Sequence, residues 1–106
     1  MQQFTPLQLH KYLELAEEHP VLLDVREPWE FKICALADSQ NVPMSSITRN
    51  LDKLDPARKT VVICHHGMRS MQVALYLEQN GFSDVINLTG GIDRWASEID
   101  RTMPRY

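Results

Sequence analysis

Three short apolar runs confine this chain to a narrow set of folds. Val21-Leu22-Leu23-Asp24-Val25, Thr60-Val61-Val62-Ile63 and Val85-Ile86-Asn87-Leu88 are almost free of polar side chains. Runs of this kind form strands covered on both faces, and the β-branched stretch Thr60 to Ile63 is the strongest strand of the three. Segments of helical period stand between them. Leu9, Tyr12, Leu13 and Ala16 fall at i, i+3, i+4 and i+7, as do Ile92, Trp95, Ala96 and Ile99. From Arg69 to Gln79, Val73, Ala74 and Leu77 share another side. Strands alternating with helices predict an α/β fold: a small open parallel β-sheet of about five strands with helices on both faces.

The punctuation fits this reading. Thr5 caps a helix that Pro6 begins, with Gln8 completing a capping box, and His19-Pro20 stops it. Glu27-Pro28 opens a short helix through Phe31. A weak strand is expected around Ser39 to Val42, and Ser45 or Ser46 caps a helix reaching about Leu54. Asp55-Pro56 is a turn, Asn80-Gly81 ends the helix that starts near Arg69, and Gly90-Gly91 turns the chain once more.

A chain of 106 residues supports one hydrophobic core, so residues 1–106 are expected to be a single domain. A hydrophobic share of 43%, a charged share of 24% and a net charge of -3 give no global positive field, so neither nucleic acid nor an anionic membrane is an expected partner. No run approaches the roughly 18 apolar residues that span a bilayer. The opening residues lack a basic and then apolar leader, which sets a cytoplasmic location as the expectation. Two cysteines, Cys34 and Cys64, make no disulfide framework, so reduced thiols are expected.

The chemistry concentrates in Cys64-His65-His66-Gly67-Met68-Arg69-Ser70, directly after the strongest strand. In parallel sheets, ligands bind beyond the carboxyl ends of strands, and Cys64 stands at such an end. Curled around the sulfur, the loop amides form an anion-binding nest, and the following helix adds the positive end of its dipole. Gly67 supplies the backbone freedom a tight loop needs. Ser70 either caps the helix or hydrogen-bonds the thiolate, which is the nucleophilic form of a cysteine. Arg69 either binds substrate oxyanions or braces the loop through its carbonyls. His65 and His66 read mainly as rim residues, with charge or proton shuttling as the alternative. Zinc ligation by Cys64, His65 and His66 is disfavoured, because adjacent residues seldom chelate one ion; no metal and no cofactor are expected. Cys34 reads as structural.

With these residues in view, the chain resembles the rhodanese-like sulfurtransferases. Leu23-Asp24-Val25-Arg26-Glu27 with Glu30-Phe31 is similar to the family's first signature, Asn41-Val42-Pro43 to the entry into its next helix, Cys64 to Ser70 to its active-site loop, and Leu88-Thr89-Gly90-Gly91 with Trp95 to its closing signature. The resemblance implies that Cys64 is the nucleophile that carries sulfane sulfur as a persulfide, with the amides of residues 65 to 69 cradling it. It implies a small sulfur donor, thiosulfate or a persulfide, and a thiol, cyanide or protein acceptor. One segment departs from the pattern: where the family has Gly-His-Ile-x-Gly-Ala, this chain has Cys34-Ala35-Leu36-Ala37-Asp38-Ser39. The loop also carries His65, His66 and Met68 in place of further cations, which makes the dianion thiosulfate a poor fit.

Two rival readings have distinct signatures. Cysteine phosphatases also combine a cysteine, an amide-lined loop and an arginine, but with five residues between Cys and Arg; here four intervene. The tighter loop suits one sulfur better than a tetrahedral phosphate. A carrier or docking module with little turnover is the second rival, and it would accept sulfur once without sustained transfer.

Overall fold

The computed structural model describes residues 1–106. Five strands and five α-helices follow one another along the chain: β1 (Gln2–Phe4), α1 (Pro6–Leu15), β2 (Val21–Asp24), α2 (Pro28–Ile33), β3 (Gln40–Asn41), α3 (Ile47–Asn50), β4 (Thr60–Ile63), α4 (Met68–Gln79), β5 (Val85–Leu88) and α5 (Gly91–Glu98). The strands form one sheet in the order β1-β5-β4-β2-β3, and every pairing is parallel. The expected open parallel sheet of five strands is therefore present.

The alternation of side chains along β2, β4 and β5 divides the core in two. Leu22, Val61, Ile63, Ile86 and Leu88 pack with Leu9, Ile92 and Trp95 of α1 and α5. Leu23, Val62, Cys64 and Val85 pack on the other face with Ile47 of α3 and with Val73, Ala74 and Leu77 of α4. Cys34 belongs to the first cluster and Cys64 to the second, so the sheet separates the two free thiols. The helix stripes read from the sequence are the faces these clusters bury.

Three local expectations need correction. β1 was not foreseen: Gln2 and Gln3 are exposed and polar, and the segment becomes a strand only because it pairs with β5 at Ile86 to Leu88. The helix expected from Ser45 or Ser46 to Leu54 is broken into a 3-10 turn (Met44–Ser46), α3 and a second 3-10 turn (Leu51–Lys53). The weak strand around Ser39 to Val42 shortens to Gln40–Asn41, although Val42 N–H still donates to the Asp24 carbonyl at 2.9 Å.

The segment lacking its glycines keeps the glycine conformation. Asp38, in the position of the second glycine, adopts φ +63°. Aspartate is one of the few residues that visits this left-handed region at modest cost. The turn is closed by Ser39, whose hydroxyl donates to the Leu36 carbonyl at 2.6 Å.

Candidate active site

β4 ends at Ile63, and Cys64 follows it on the α4 face of the sheet. Its sulfur is enclosed, with no accessible surface. The chain then turns through His65, His66 and Gly67 into α4, which begins at Met68, one residue earlier than expected. Gly67 has φ +102°, and a Cβ there would lie 3.2 Å from the Gly90 amide nitrogen. Only glycine combines that backbone with that approach.

Two amides converge on the sulfur. Gly67 N–H donates to Cys64 Sγ at 3.1 Å and Ser70 N–H at 3.3 Å. The resemblance had assigned the cradle to residues 65 to 69; the second donor in fact comes from Ser70, one residue farther along. Both amides belong to the first turn of α4, where backbone N–H groups lack helical partners and the dipole is positive. Negative charge on Sγ is stabilised there.

Ser70 touches the sulfur through its hydroxyl as well. The Cys64 thiol donates to Ser70 Oγ at 3.3 Å, and the Ser70 hydroxyl in turn donates to Asn87 Oδ1 at 2.5 Å. Asn87 Nδ2 then donates to Gln3 Oε1 at 3.0 Å and to the Gly67 carbonyl at 3.3 Å. This buried polar chain links sulfur, helix start and β5. Asn87 was missed as a site residue; its signal was a lone amide inside an otherwise apolar strand.

Arg69 takes neither of the two roles expected of it. Its guanidinium forks onto Glu30 of α2, with Nη1 to Oε2 at 2.8 Å and Nη2 to Oε1 at 2.9 Å. The bidentate geometry is the strong form of this pair. Arg69 holds Glu30 down at about 2, and Glu30 raises Arg69 above its ordinary value. Glu30 is itself buried, and its Oε2 also accepts from the Glu27 N–H at 2.9 Å.

Beneath this pair lies a second one. Arg26, wholly buried, donates to Asp24 through Nε at 2.9 Å and Nη2 at 2.7 Å. Nη2 also reaches the Cys34 carbonyl at 2.6 Å, tying the end of α2 to the strand. Burial alone lowers the Arg26 pKa, but hydrogen bonds from its guanidinium to Asp24 and Tyr106 more than reverse this, and the group is raised overall.

His65 and His66 stand on the rim. The His65 ring lies parallel to Tyr106, centroids 3.9 Å apart and planes 7° from each other. Burial, then the neighbouring His66, push His65 below its ordinary pKa. His66 is well exposed, with Nε2 3.8 Å from Asp93 Oδ2. Met68 is also exposed and, with His66, Gly67 and Asn87, borders an open cavity of about 410 Å³. The largest cavity, about 570 Å³, lies elsewhere, between α1, Ala35–Asp38 and Trp95, and includes none of the loop residues.

His65, His66 and Asp93 place three ligand-type atoms within 4.8 Å of one another. Asp93, which the sequence reading did not consider, sits at the start of α5. Its Oδ1 accepts from Arg105 at 2.9 Å, and this pairing holds its carboxyl below the usual range. The arginine and the stacked Tyr106 occupy the same side chains that a cation would need.

α5 holds the loop from outside. Ile92 N–H donates to the Cys64 carbonyl at 2.9 Å and Asp93 N–H to the His65 carbonyl at 3.1 Å. Gly91 has φ +60°, and a Cβ on it would collide with both of those carbonyl oxygens. Gly91 is therefore a packing requirement of the Cys64 loop.

The chain as a whole, with this loop inside it, is similar to known proteins. The family model described as "Rhodanese-like domain" matches residues 5–98. The thiosulfate sulfurtransferase GlpE of Pseudomonas fluorescens is 33% identical over 92% of this chain and 89% of its own. The chloroplastic rhodanese-like/PpiC domain-containing protein 12 of Arabidopsis thaliana is 39% identical over 80% of this chain. This chain spans less than a third of the length of that protein and of several other curated relatives. The crystal structure of a rhodanese-like domain protein from Staphylococcus aureus superposes with a TM-score of 0.85 at 30% identity, covering 93% of this chain and 95% of that one. The match over nearly the whole length, in sequence and in fold, shows that this chain belongs to the rhodanese-like domain family.

Proposed function

We propose that this protein transfers sulfane sulfur by way of a persulfide on Cys64. The observation that carries the reading is the convergence of the Gly67 and Ser70 amides on Sγ at the start of α4. In the first half-reaction the Cys64 thiolate attacks the terminal sulfur of a donor. With thiosulfate, the S–S bond of the donor breaks and sulfite departs with its electron pair; with an alkyl persulfide, the thiolate departs. In the second half-reaction cyanide or a thiolate attacks the outer sulfur. The electron pair of the broken S–S bond returns to Cys64, and thiocyanate or a new persulfide leaves.

The amides hold negative charge in both resting forms of the cycle. The Ser70 hydroxyl, now directed at Asn87, turns its proton to the sulfur when the thiol proton is gone. His65 and His66 shape the rim, and Met68 flanks it. The four-residue spacing from Cys64 to Arg69 supports sulfur over phosphate as the group bound.

The charge balance favours a persulfide donor over thiosulfate. Arg69 is neutralised by Glu30, Arg26 by Asp24 and Arg105 by Asp93. Each of these three arginines already faces a carboxylate. A donor of low charge meets less opposition in such a mouth than one that must bring two negative charges.

Intact-mass spectrometry after exposure to either donor tests the reading. The expected result is a gain of one sulfur atom, faster with an alkyl persulfide than with thiosulfate, reversed by cyanide and absent in Cys64→Ser. Retention of the added sulfur in Cys64→Ser, or its loss in Cys34→Ser, overturns it. Cys64-dependent hydrolysis of an aryl phosphate would do the same.

A further inference from the structure

Cys64 has no accessible surface, yet a sulfur carrier must admit both a donor and an acceptor. Some group at the rim therefore moves. The sulfur rests on regular structure: β4 behind it, α4 beside it and α5 against the loop carbonyls. Across the gap between the loop and α2 lies Tyr106, from the irregular segment that follows α5.

The ring of Tyr106 has one face on His65 of the loop at 3.9 Å and meets the Trp29 ring of α2 edge-on at 5.8 Å. Its phenol accepts from Arg26 Nη1 at 2.8 Å and donates to Glu30 Oε1 at 2.9 Å. Burial, with Glu30 beside it, pushes the phenol up to about 12, so it keeps the proton it donates across the physiological range. Arg105 fastens the same segment to Asp93 through Oδ1, at 2.9 Å from Nη2. One side chain thus spans the loop, α2 and the buried arginine of the first signature.

We propose that Tyr106 is a specificity-determining residue, a gate on the Glu30 side of the sulfur whose ring excludes bulky reactants and whose two phenol hydrogen bonds are the latch. Small reactants reach Cys64 through slight displacement of the ring. Large ones require the latch to Arg26 and Glu30 to break and the 103–106 segment to lift. Reactivity toward large molecules is scaled down by the fraction of time the gate stands open.

This assignment rests on Cys64 being the sulfur carrier, but its main test does not. Wild type, Tyr106→Phe and Tyr106→Ala are treated with iodoacetamide and with a fluorescein-bearing iodoacetamide. Modification at Cys64 is read by peptide mapping. Both reagents react by displacement of iodide by the thiolate. In variants shown by circular dichroism to be folded, the change in the ratio of their rates relative to wild type therefore reports access to Cys64 and not the reactivity of its thiolate. The bulky-to-small ratio is expected to rise about tenfold in Tyr106→Ala, as expected for losing a charge-assisted latch, and by less in Tyr106→Phe, which keeps the ring. A ratio unmoved in either folded variant, including the case where both rates rise equally, overturns the gate. Sulfur discharge from the loaded enzyme is then compared with cyanide and glutathione as acceptors, where the glutathione-to-cyanide ratio is expected to shift the same way. If wild type never loads sulfur, the proposed function fails while the alkylation ratio still decides the gate.

Discussion

Glu30 grips Arg69 with both carboxylate oxygens across 39 positions of sequence. The pair joins the short helix after the first signature to the helix that starts at the sulfur. It ties α2 to the first turn of α4 and engages two of the five N–H donors of Arg69.

The acid limb of stability should report this pair. Glu30 is depressed from 4.5 to about 2, so its stabilisation is complete above its unfolded pKa and is lost as pH falls toward 2. Arg69 is about a third exposed, which screens the interaction, and about 2 kcal/mol is a reasonable share for Glu30. Denaturant unfolding from pH 5 to pH 2 should show wild type losing that share, and Glu30→Gln should show a flatter profile. Parallel profiles would mean that the pair contributes nothing to folding.

Ser70 is placed to serve the anionic sulfur in two ways, and one of them can be removed cleanly. Ser70→Ala keeps the N–H bond to Sγ but deletes the hydroxyl and leaves Asn87 Oδ1 without its donor. Sulfur transfer should fall about tenfold, in line with the loss of one hydrogen bond to a charged sulfur. Steady-state transfer to cyanide is the measurement, and an unchanged kcat/KM would assign the hydroxyl a purely structural place.

Gly91→Ala should damage the loop without touching any residue in it. The added Cβ meets the Cys64 and His65 carbonyls, and alanine resists φ +60°. A loss of roughly 2 kcal/mol or more is expected, with reduced sulfur loading in the protein that still folds. Gly81→Ala is the comparison: φ is +90° there, but a Cβ meets nothing within 4 Å, so it carries the backbone strain without the collision.

The sequence showed its fold where local pattern and tertiary environment agree. β2, β4 and β5 are apolar because they are central, and the stripes of α1, α4 and α5 are the faces laid on them. β1 escaped because an edge strand of three residues, two of them glutamine, has no pattern of its own; its register exists only in β5. The helix after Pro43 was overextended because capping signals say where a helix starts, whereas local tightening to 3-10 depends on neighbours. At the site, Cys64, Gly67 and Ser70 stood in one contiguous motif and were legible. Glu30, Asn87, Asp93 and Tyr106 reach the loop from α2, β5, α5 and beyond, and spacing along the chain holds no trace of such meetings.

α5 takes the carbonyl oxygens of Cys64 and His65 into its first turn. In a planar trans peptide the N–H lies opposite the oxygen, so this grip also aims the amides of His65 and His66 away from α5. The path of the loop between Cys64 and the Gly67 amide is thus set by main-chain bonds to α5. The side chains of His66 and Met68 are exposed and take no part in these main-chain bonds. A substitution at either of these rim positions therefore changes what the loop presents to solvent while the main-chain frame around Cys64 stays in place.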